Sequence, residues 1–292
     1  MKYETCYAQH FGVWAIYPEW FANALAAVRA GTLVPNVEAA AKPRQEPEEL
    51  FQMVTPNIAR IPIMGQMTKG RSSFGGASSI QTRQALREAV SKRAVKQIVM
   101  HIDSPGGTAA GTRELHDDIV AANGRKPVVA HIDDLGASAA YFAAVGASRI
   151  NMNRTGLAGS IGTLAVLTDT SKADERMGFT HTVISSGKNK GLGMDGAVTP
   201  ELVAETKKIV EMFAQDFFNA VSTGRKLSGE RLGAVTDGTI FTAGEALDRG
   251  LVDKIQSFEA TVSEMQGEID RQEKALARAK RMAAEIRQAK NF

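Results

Sequence analysis

Ser138 is the residue of this sequence that first raises a chemical question. In 131-HIDDLGASAAYFAAVGASRI-150 a strand-like run gives way to Gly136-Ala137-Ser138 and then to small side chains. A hydroxyl in such a strand-to-helix turn is either a packing element or a group held where something can react with it. Serine is a weak nucleophile until a base removes its proton. A second glycine turn, Asp103-Ser104-Pro105-Gly106-Gly107, follows the preceding strand-like segment. Glycine permits positive φ and lets another backbone come close. Unpaired N–H groups at such a turn, near a helix start, favour an oxygen anion. Acyl transfer is the chemistry that would use both turns, and losing one oxyanion donor typically costs about 3 kcal/mol of barrier lowering.

A base is then required. The histidines are His10, His101, His116, His131 and His181. His101 and His131 lie inside strand-like runs, each two residues before an aspartate, which predicts buried or sheet-facing rings. His116 sits on a helix with Asp117 and Asp118, which predicts a surface position. None lies in a loop shaped for a Ser-His-Asp triad, although His181 stays open. The glycine-rich loop 185-SSGKNKGLGMDG-196 offers Lys188 and Lys190. A lysine acts as a general base when burial and nearby positive groups keep it uncharged. From spacing alone, a solvated lysine is the commoner reading of such a loop.

The elements that must position these groups alternate. Strands are expected at 58–65, 96–103, 127–133, 148–153, 164–167 and 180–184. Helices are expected at 79–94, 108–123, 138–145 and 200–223, followed by a short polar helix at 228–235. This alternation predicts right-handed crossovers and a mostly parallel α/β sheet. The runs "QIVM" and "PVVA" are apolar throughout, as strands covered on both faces are. In such a sheet ligands bind where strands end and helices begin, which is where both glycine turns fall. In 239-TIFTAGEALDRGLVDKI-255, Thr242 caps a short helix, Gly250 ends it and Leu251-Val252 opens a strand.

The flanks differ from this body. Residues 1–48 form an arm and linker with Tyr3, Tyr7, Phe11, Trp14, Tyr17, Trp20 and Phe21, a helix over 19–31, and the polar stretch 42-KPRQEPEEL-50. The arm is either a docking segment or the packed edge of the domain. Residues 257–292 read as one long helix. Val262, Met265, Ile269, Gln272, Leu276, Ala279, Ala283 and Ile286 follow a 3-4 spacing, which fits either packing on the domain or a weak coiled coil between subunits. The domain itself is expected over 49–256.

Composition narrows the classes further. The 292 residues carry 35 basic and 32 acidic side chains, too even a balance to argue for nucleic acid. Cys6 is the single cysteine, so no disulfide framework or cysteine metal site is expected. The start carries no signal-peptide pattern, and no stretch reaches the roughly 18 apolar residues of a membrane span. A soluble cytoplasmic chain without a membrane anchor is the expectation.

The set "IDSPGG", "GASAAY", "LAGSIGT", "SSGKNKG" and "FTAGEALDRGLVDKI", in that order, resembles the signal peptide peptidase A (protease IV) family of serine–lysine peptidases. The resemblance covers about Ile58 to Ile255. It implies the Clp/crotonase-like fold of repeated ββα or βα units and a homo-oligomer. It also implies Ser138 as nucleophile, Lys190 as general base with Lys188 in reserve, and Gly107 and Ala139 as oxyanion donors with Gly106 close by. Ser160 matches an auxiliary serine that orients the lysine, or else a helix cap. No metal or cofactor is implied. Ala139 stands where many relatives have glycine, and the anchor of secretory members is not found. Soluble members of this kind resemble the head-maturation proteases of tailed phages, which would make scaffold and capsid proteins the substrates, in the host cytoplasm or the procapsid. The rivals are a peptidase of signal-peptide fragments, a crotonase-like acyl-CoA enzyme and an inactive assembly scaffold.

Overall fold

A computed structural model describes residues 13–30, 50–72 and 75–289. Tyr3, Tyr7, Phe11 and all but the last residue of the polar stretch 42–50 lie outside the described residues.

The larger sheet holds the site. Its central strands are β3 (Ile58–Met64), β6 (Gln97–Ser104) and β8 (Val128–Ala137), paired parallel in that order. β8 is long enough to change neighbour along its length. Residues 129–132 pair with β9 (Arg149–Met152), and residues 135–137 pair with β10 (Leu157–Gly159), both parallel. β2 (Gln52–Thr55) closes one edge and β11 (Ile240–Thr242) the other, each antiparallel to its neighbour, while β12 (Lys254–Ile255) adds parallel to β9. The expected α/β alternation with a mostly parallel sheet is therefore what the chain forms.

Strand alternation assigns the two faces. Ile98, Met100 and Ile102 of β6 and Val128, Ala130 and Ile132 of β8 join the main core. The helices on that side are α2 (Ser79–Ser91), α3 (Thr112–Asn123) and α4 (Ala139–Ala144). Val99 and Val129 face the other way and meet Met265 and Ile269 of the C-terminal helix. α4 is wholly buried. Its Tyr141 hydroxyl donates to the Leu251 carbonyl at 2.7 Å, and its Phe142 stacks on Phe217 with ring centres 4.6 Å apart. Deleting an aromatic from a core costs about 3–5 kcal/mol, so these two rings fix α4 firmly. Phe217 belongs to the long helix α6 (Pro200–Arg225), which follows the short α5 (Ser171–Arg176). Thr199 caps α6 by accepting the Leu202 N–H at 3.2 Å.

A smaller sheet lies beside the site, in the order β1 (Trp14–Ile16), β7 (Gly106–Thr108), β4 (Met67–Thr68), β5 (Ala77–Ser78). α1 (Pro18–Arg29) follows β1, matching the expected helix at 19–31 within its described residues. After α6 come α7 (Gly229–Gly233), β11, and α8 (Ala243–Asp248). Thr242 and Glu245 form a reciprocal capping box at the start of α8.

Three expectations change. The helix expected from Thr108 starts at Thr112, because Gly106–Thr108 is taken up by the small sheet. Residues 164–167 and 180–184 form no strands. Leu164 makes one isolated bridge to Trp14, and the rest has no neighbouring backbone to pair with. Val166, Leu167, Val183 and Ile184 stand in solvent, Ile184 at 94% exposure. His116 is packed rather than superficial, its ring 5.3 Å from that of Phe142.

The final helix, α9 (Phe258–Ala289), packs on the domain over its first half and leaves its second half exposed. Met265 and Ile269 are buried on the sheet, whereas Leu276 and Ile286 are more than half exposed. No helix among the described residues is long and apolar enough to cross a membrane.

Candidate active site

β8 delivers Ser138 to a strained turn. Its backbone has φ 54 and ψ −119, a region non-glycine residues rarely enter, at a cost of about 1–3 kcal/mol. Two hydrogen bonds impose it. The Ser138 N–H donates to the Gly159 carbonyl at 2.8 Å, and the Ser138 carbonyl accepts the Phe142 N–H at 2.8 Å, opening α4. Gly159 has φ 125, and the next residue, Ser160, has φ 50 and is buried. Two serines at positive φ are thus tied together through one glycine. Among the described residues the only other non-glycine at positive φ is Lys226, which ends α6.

The Ser138 side chain does none of the usual structural tasks. It is 1% exposed, makes no capping hydrogen bond to α4, and its Oγ has no hydrogen-bond partner. A buried hydroxyl left unpaired costs about 1–3 kcal/mol. Strain and an unpaired hydroxyl at one residue are what a poised nucleophile looks like, and packing alone explains neither.

The neighbouring glycine turn supplies backbone donors. Ser104, fully buried, donates to the Gly65 carbonyl at 2.6 Å and accepts the Gly106 N–H at 3.2 Å. The Gly106 N–H is therefore occupied. Gly106 matters instead for its missing side chain. A Cβ there would stand 2.4 Å from the Ala15 carbonyl oxygen, 2.8 Å from the Ala137 carbonyl oxygen and 2.8 Å from the Ala139 nitrogen. At Gly107 a Cβ would lie 1.7 Å from the Met67 carbonyl oxygen. Both positions need glycine because three backbone segments converge there. Ala139 is the first residue of α4, where an N–H has no partner within the helix. Gly106 thus packs against the residues on either side of Ser138, and Gly107 beside it pairs with Ala15 of β1.

The amines stand elsewhere in the single chain. Lys188 and Lys190 lie in an exposed glycine-rich turn, where the Lys190 N–H bonds the Gly187 carbonyl at 3.0 Å. Among the described residues no lysine is hydrogen-bonded to the Ser138 Oγ, which is unpartnered. The segment bearing them is braced on itself, by Thr170 N–H to the Gly196 carbonyl at 2.8 Å and by Val198 N–H to the Asp169 carboxylate at 3.1 Å.

The histidines have other work. His101 contacts Asp133 through Nε2 at 2.5 Å, accepts from Arg60 Nε at 2.7 Å and stacks on Phe258 at 4.1 Å. His131, fully buried, sits between Thr261 Oγ1 at 2.9 Å and Asn153 Oδ1 at 3.2 Å. Both rings serve the docking of α9. Burial holds both below the usual histidine pKa, for His101 against the opposing pull of Asp133. His181 is half exposed and 3.6 Å from Asp174. Among the described residues no group of three or more His, Cys, Asp and Glu side chains is placed to hold a metal ion.

Two features escaped the sequence reading. Ser104 is visible in the turn motif, but its role in occupying the Gly106 N–H depends on Gly65, just past the end of β3. The pairing of β1 beside Gly107 leaves no local signal, since its partner lies far along the chain.

Comparison with known proteins places these residues in context. The profile of peptidase family S49 matches residues 121–271. The protein slr0021 of Synechocystis sp. is 30% identical over 206 residues, 69% of this chain and 70% of that protein. Capsid assembly protease C of Escherichia phage lambda is 29% identical over 225 residues, covering 75% of this chain but only 51% of its own length. Among solved structures, a ClpP1 variant from Listeria monocytogenes matches 68% of this chain and 91% of its own, with a TM-score of 0.46 and 13% identity.

Proposed function

The chain belongs to peptidase family S49, and from that premise we propose that it is a serine endopeptidase using Ser138 as nucleophile and Lys190 as general base. The observation that carries this reading is the buried, unpartnered Ser138 Oγ at a strained turn against which the Gly106 backbone packs. An uncharged Lys190 amine takes the Ser138 proton, and the alkoxide attacks a peptide carbonyl. The Gly107 and Ala139 N–H groups hold the oxyanion. The lysine then protonates the leaving amine, and water releases the acyl group by the same route in reverse.

A lysine in solvent is charged and cannot act as this base, so the reading requires the 185–196 loop to be buried against a serine. Within one chain it is not. A second copy would supply the missing contact, with its Lys190 over the first copy's Ser138. Exposed apolar side chains between Val166 and Met212, among them Phe179, Ile184 and Met194, support a self-associating surface around that loop. Ser160, joined to the nucleophile turn through Gly159, is the proposed positioning residue for the amine.

The test is proteolysis of a general protein substrate by point variants. Ser138→Ala and Lys190→Ala should each lose at least about a thousand-fold of activity, with folding intact. Lys188→Ala should retain most of it. Cleavage by Ser138→Ala would end the proposal, and a dead Lys188→Ala beside an active Lys190→Ala would move the base to Lys188. The likeness to the lambda capsid assembly protease favours scaffold or capsid proteins as substrates. Co-expression with the structural proteins encoded nearby should produce new termini with the wild type and none with Ser138→Ala.

A further inference from the structure

We propose that the chain is its own first substrate, cut between Ala15 and Ile16; this rests on the peptidase reading above. The argument begins with where β1 lies. It is paired antiparallel to β7, the strand that carries Gly107, in the register Trp14 to Thr108, Ala15 to Gly107, Ile16 to Gly106. On its other side Trp14 exchanges two backbone hydrogen bonds with Leu164, each 2.8 Å. β1 is therefore an extended segment held between two backbones, as a peptide substrate is held by strand addition.

The register points one carbonyl at the site. Tyr17 N–H donates to the Pro105 carbonyl at 2.8 Å, and Ala109 N–H donates to the Val13 carbonyl at 3.1 Å. Hydrogen-bonded pairs alternate along an antiparallel ladder, so Ala15 and Gly107, midway between these bonds, form such a pair. That turns the Gly107 N–H towards the Ala15 carbonyl oxygen. The same oxygen crowds the position where Gly106 lacks a Cβ, together with the Ala137 carbonyl and the Ala139 nitrogen, the residues on either side of Ser138. The Ala15 carbonyl thus pairs with one of the two amides assigned to the oxyanion, and Gly106 alone stands between it and the nitrogen of the other, Ala139. Trp14, Ala15 and Ile16 are buried at 4%, 2% and 2%, and Ser138 beneath this turn is closed to solvent. No other substrate reaches the serine while the segment stays in place.

The step follows. Ser138 Oγ bonds to the Ala15 carbonyl carbon, and its proton passes through the amine base to the Ile16 nitrogen. The Ala15–Ile16 bond breaks, leaving residues 1–15 as an ester on Ser138 and a new N-terminus at Ile16. Water then hydrolyses the ester, restoring the Ser138 hydroxyl and releasing a peptide that ends in the Ala15 carboxylate. A small residue at this position suits the site, because the carbonyl lies in backbone contact with Gly106 and the side chain is enclosed.

Intact-mass and N-terminal analysis of the purified full-length chain tests this, with casein digestion run in parallel. The wild type should become a chain beginning at Ile16, while Ser138→Ala stays whole. Ala15→Arg, which forces a long charged side chain into the enclosed position, should lose at least nine-tenths of the cut. A peptide spanning residues 9–22, added to the trimmed enzyme, should be cleaved at the same bond. A wild type that digests casein yet keeps its N-terminus, or is cut elsewhere in the segment, overturns the self-cleavage and leaves the peptidase reading standing. A wild type that cuts neither itself nor casein removes both. The same cut in Ser138→Ala would trace it to another protease and also overturn the inference.

Discussion

At Ser138 stability and chemistry pull in opposite directions. A φ of 54 with ψ −119 suits glycine, so the chain carries strain to present a hydroxyl there. Both Ser138→Gly and Ser138→Ala should abolish cleavage, and both remove the unpaired hydroxyl. Ser138→Ala keeps a Cβ in the strained conformation, so Ser138→Gly should be the more stable of the two by about 1 kcal/mol. Equal thermal midpoints for the two variants would show that the turn is not strained in solution. The serine, the glycines and the lysine loop were all legible in the sequence as chemistry-bearing types, and the turn motifs located the amides. Which partner each amide takes was not legible. Gly106 and Gly107 look alike in the sequence, yet Ser104 Oγ takes the Gly106 N–H while the β1 register turns the Gly107 N–H to Ala15.

At the scale of elements, the docking of α9 on the sheet depends on neutral histidines. Burial lowers the pKa of His101, His116 and His131, with Asp133 and Asp103 pulling His101 upward and Arg60 pulling it down. Between those lowered values and the ordinary value near 6.5, the unfolded chain binds more protons than the folded one. Stability is then present in full above about pH 6.5 and is lost as pH falls through the folded-state values. The thermal midpoint should decline on acidification from about pH 7 to pH 5, before the paired carboxylates begin to titrate. His131→Gln, which can still bond Thr261 but does not titrate in this range, should show a shallower decline. Identical slopes for variant and wild type would contradict the assignment. Strands with a partner in the same sheet were read well, because two apolar faces leave a plain pattern. Residues 164–167 and 180–184 misled for the opposite reason. They have strand composition, but no neighbouring backbone completes their ladder within the chain.

For the whole molecule, composition described a balanced chain and left its assembly open. The fold supplies a reason to expect assembly. The nucleophile is buried at the end of β8, the amines stand on an exposed loop, and the apolar side chains of Phe179, Ile184 and Met194 in and before that loop lie in solvent. The exposed second half of α9 adds Leu276 and Ile286 to the unpartnered surface. The central claim is that Ser138 of one copy and Lys190 of another make one catalytic centre. It is tested most directly by mixing two inactive proteins, Ser138→Ala and Lys190→Ala, under conditions where native mass spectrometry shows hetero-oligomers. The mixture should regain proteolysis that neither variant has alone, because some interfaces then pair an intact serine with an intact lysine. Hetero-oligomers that form and stay inactive would contradict it.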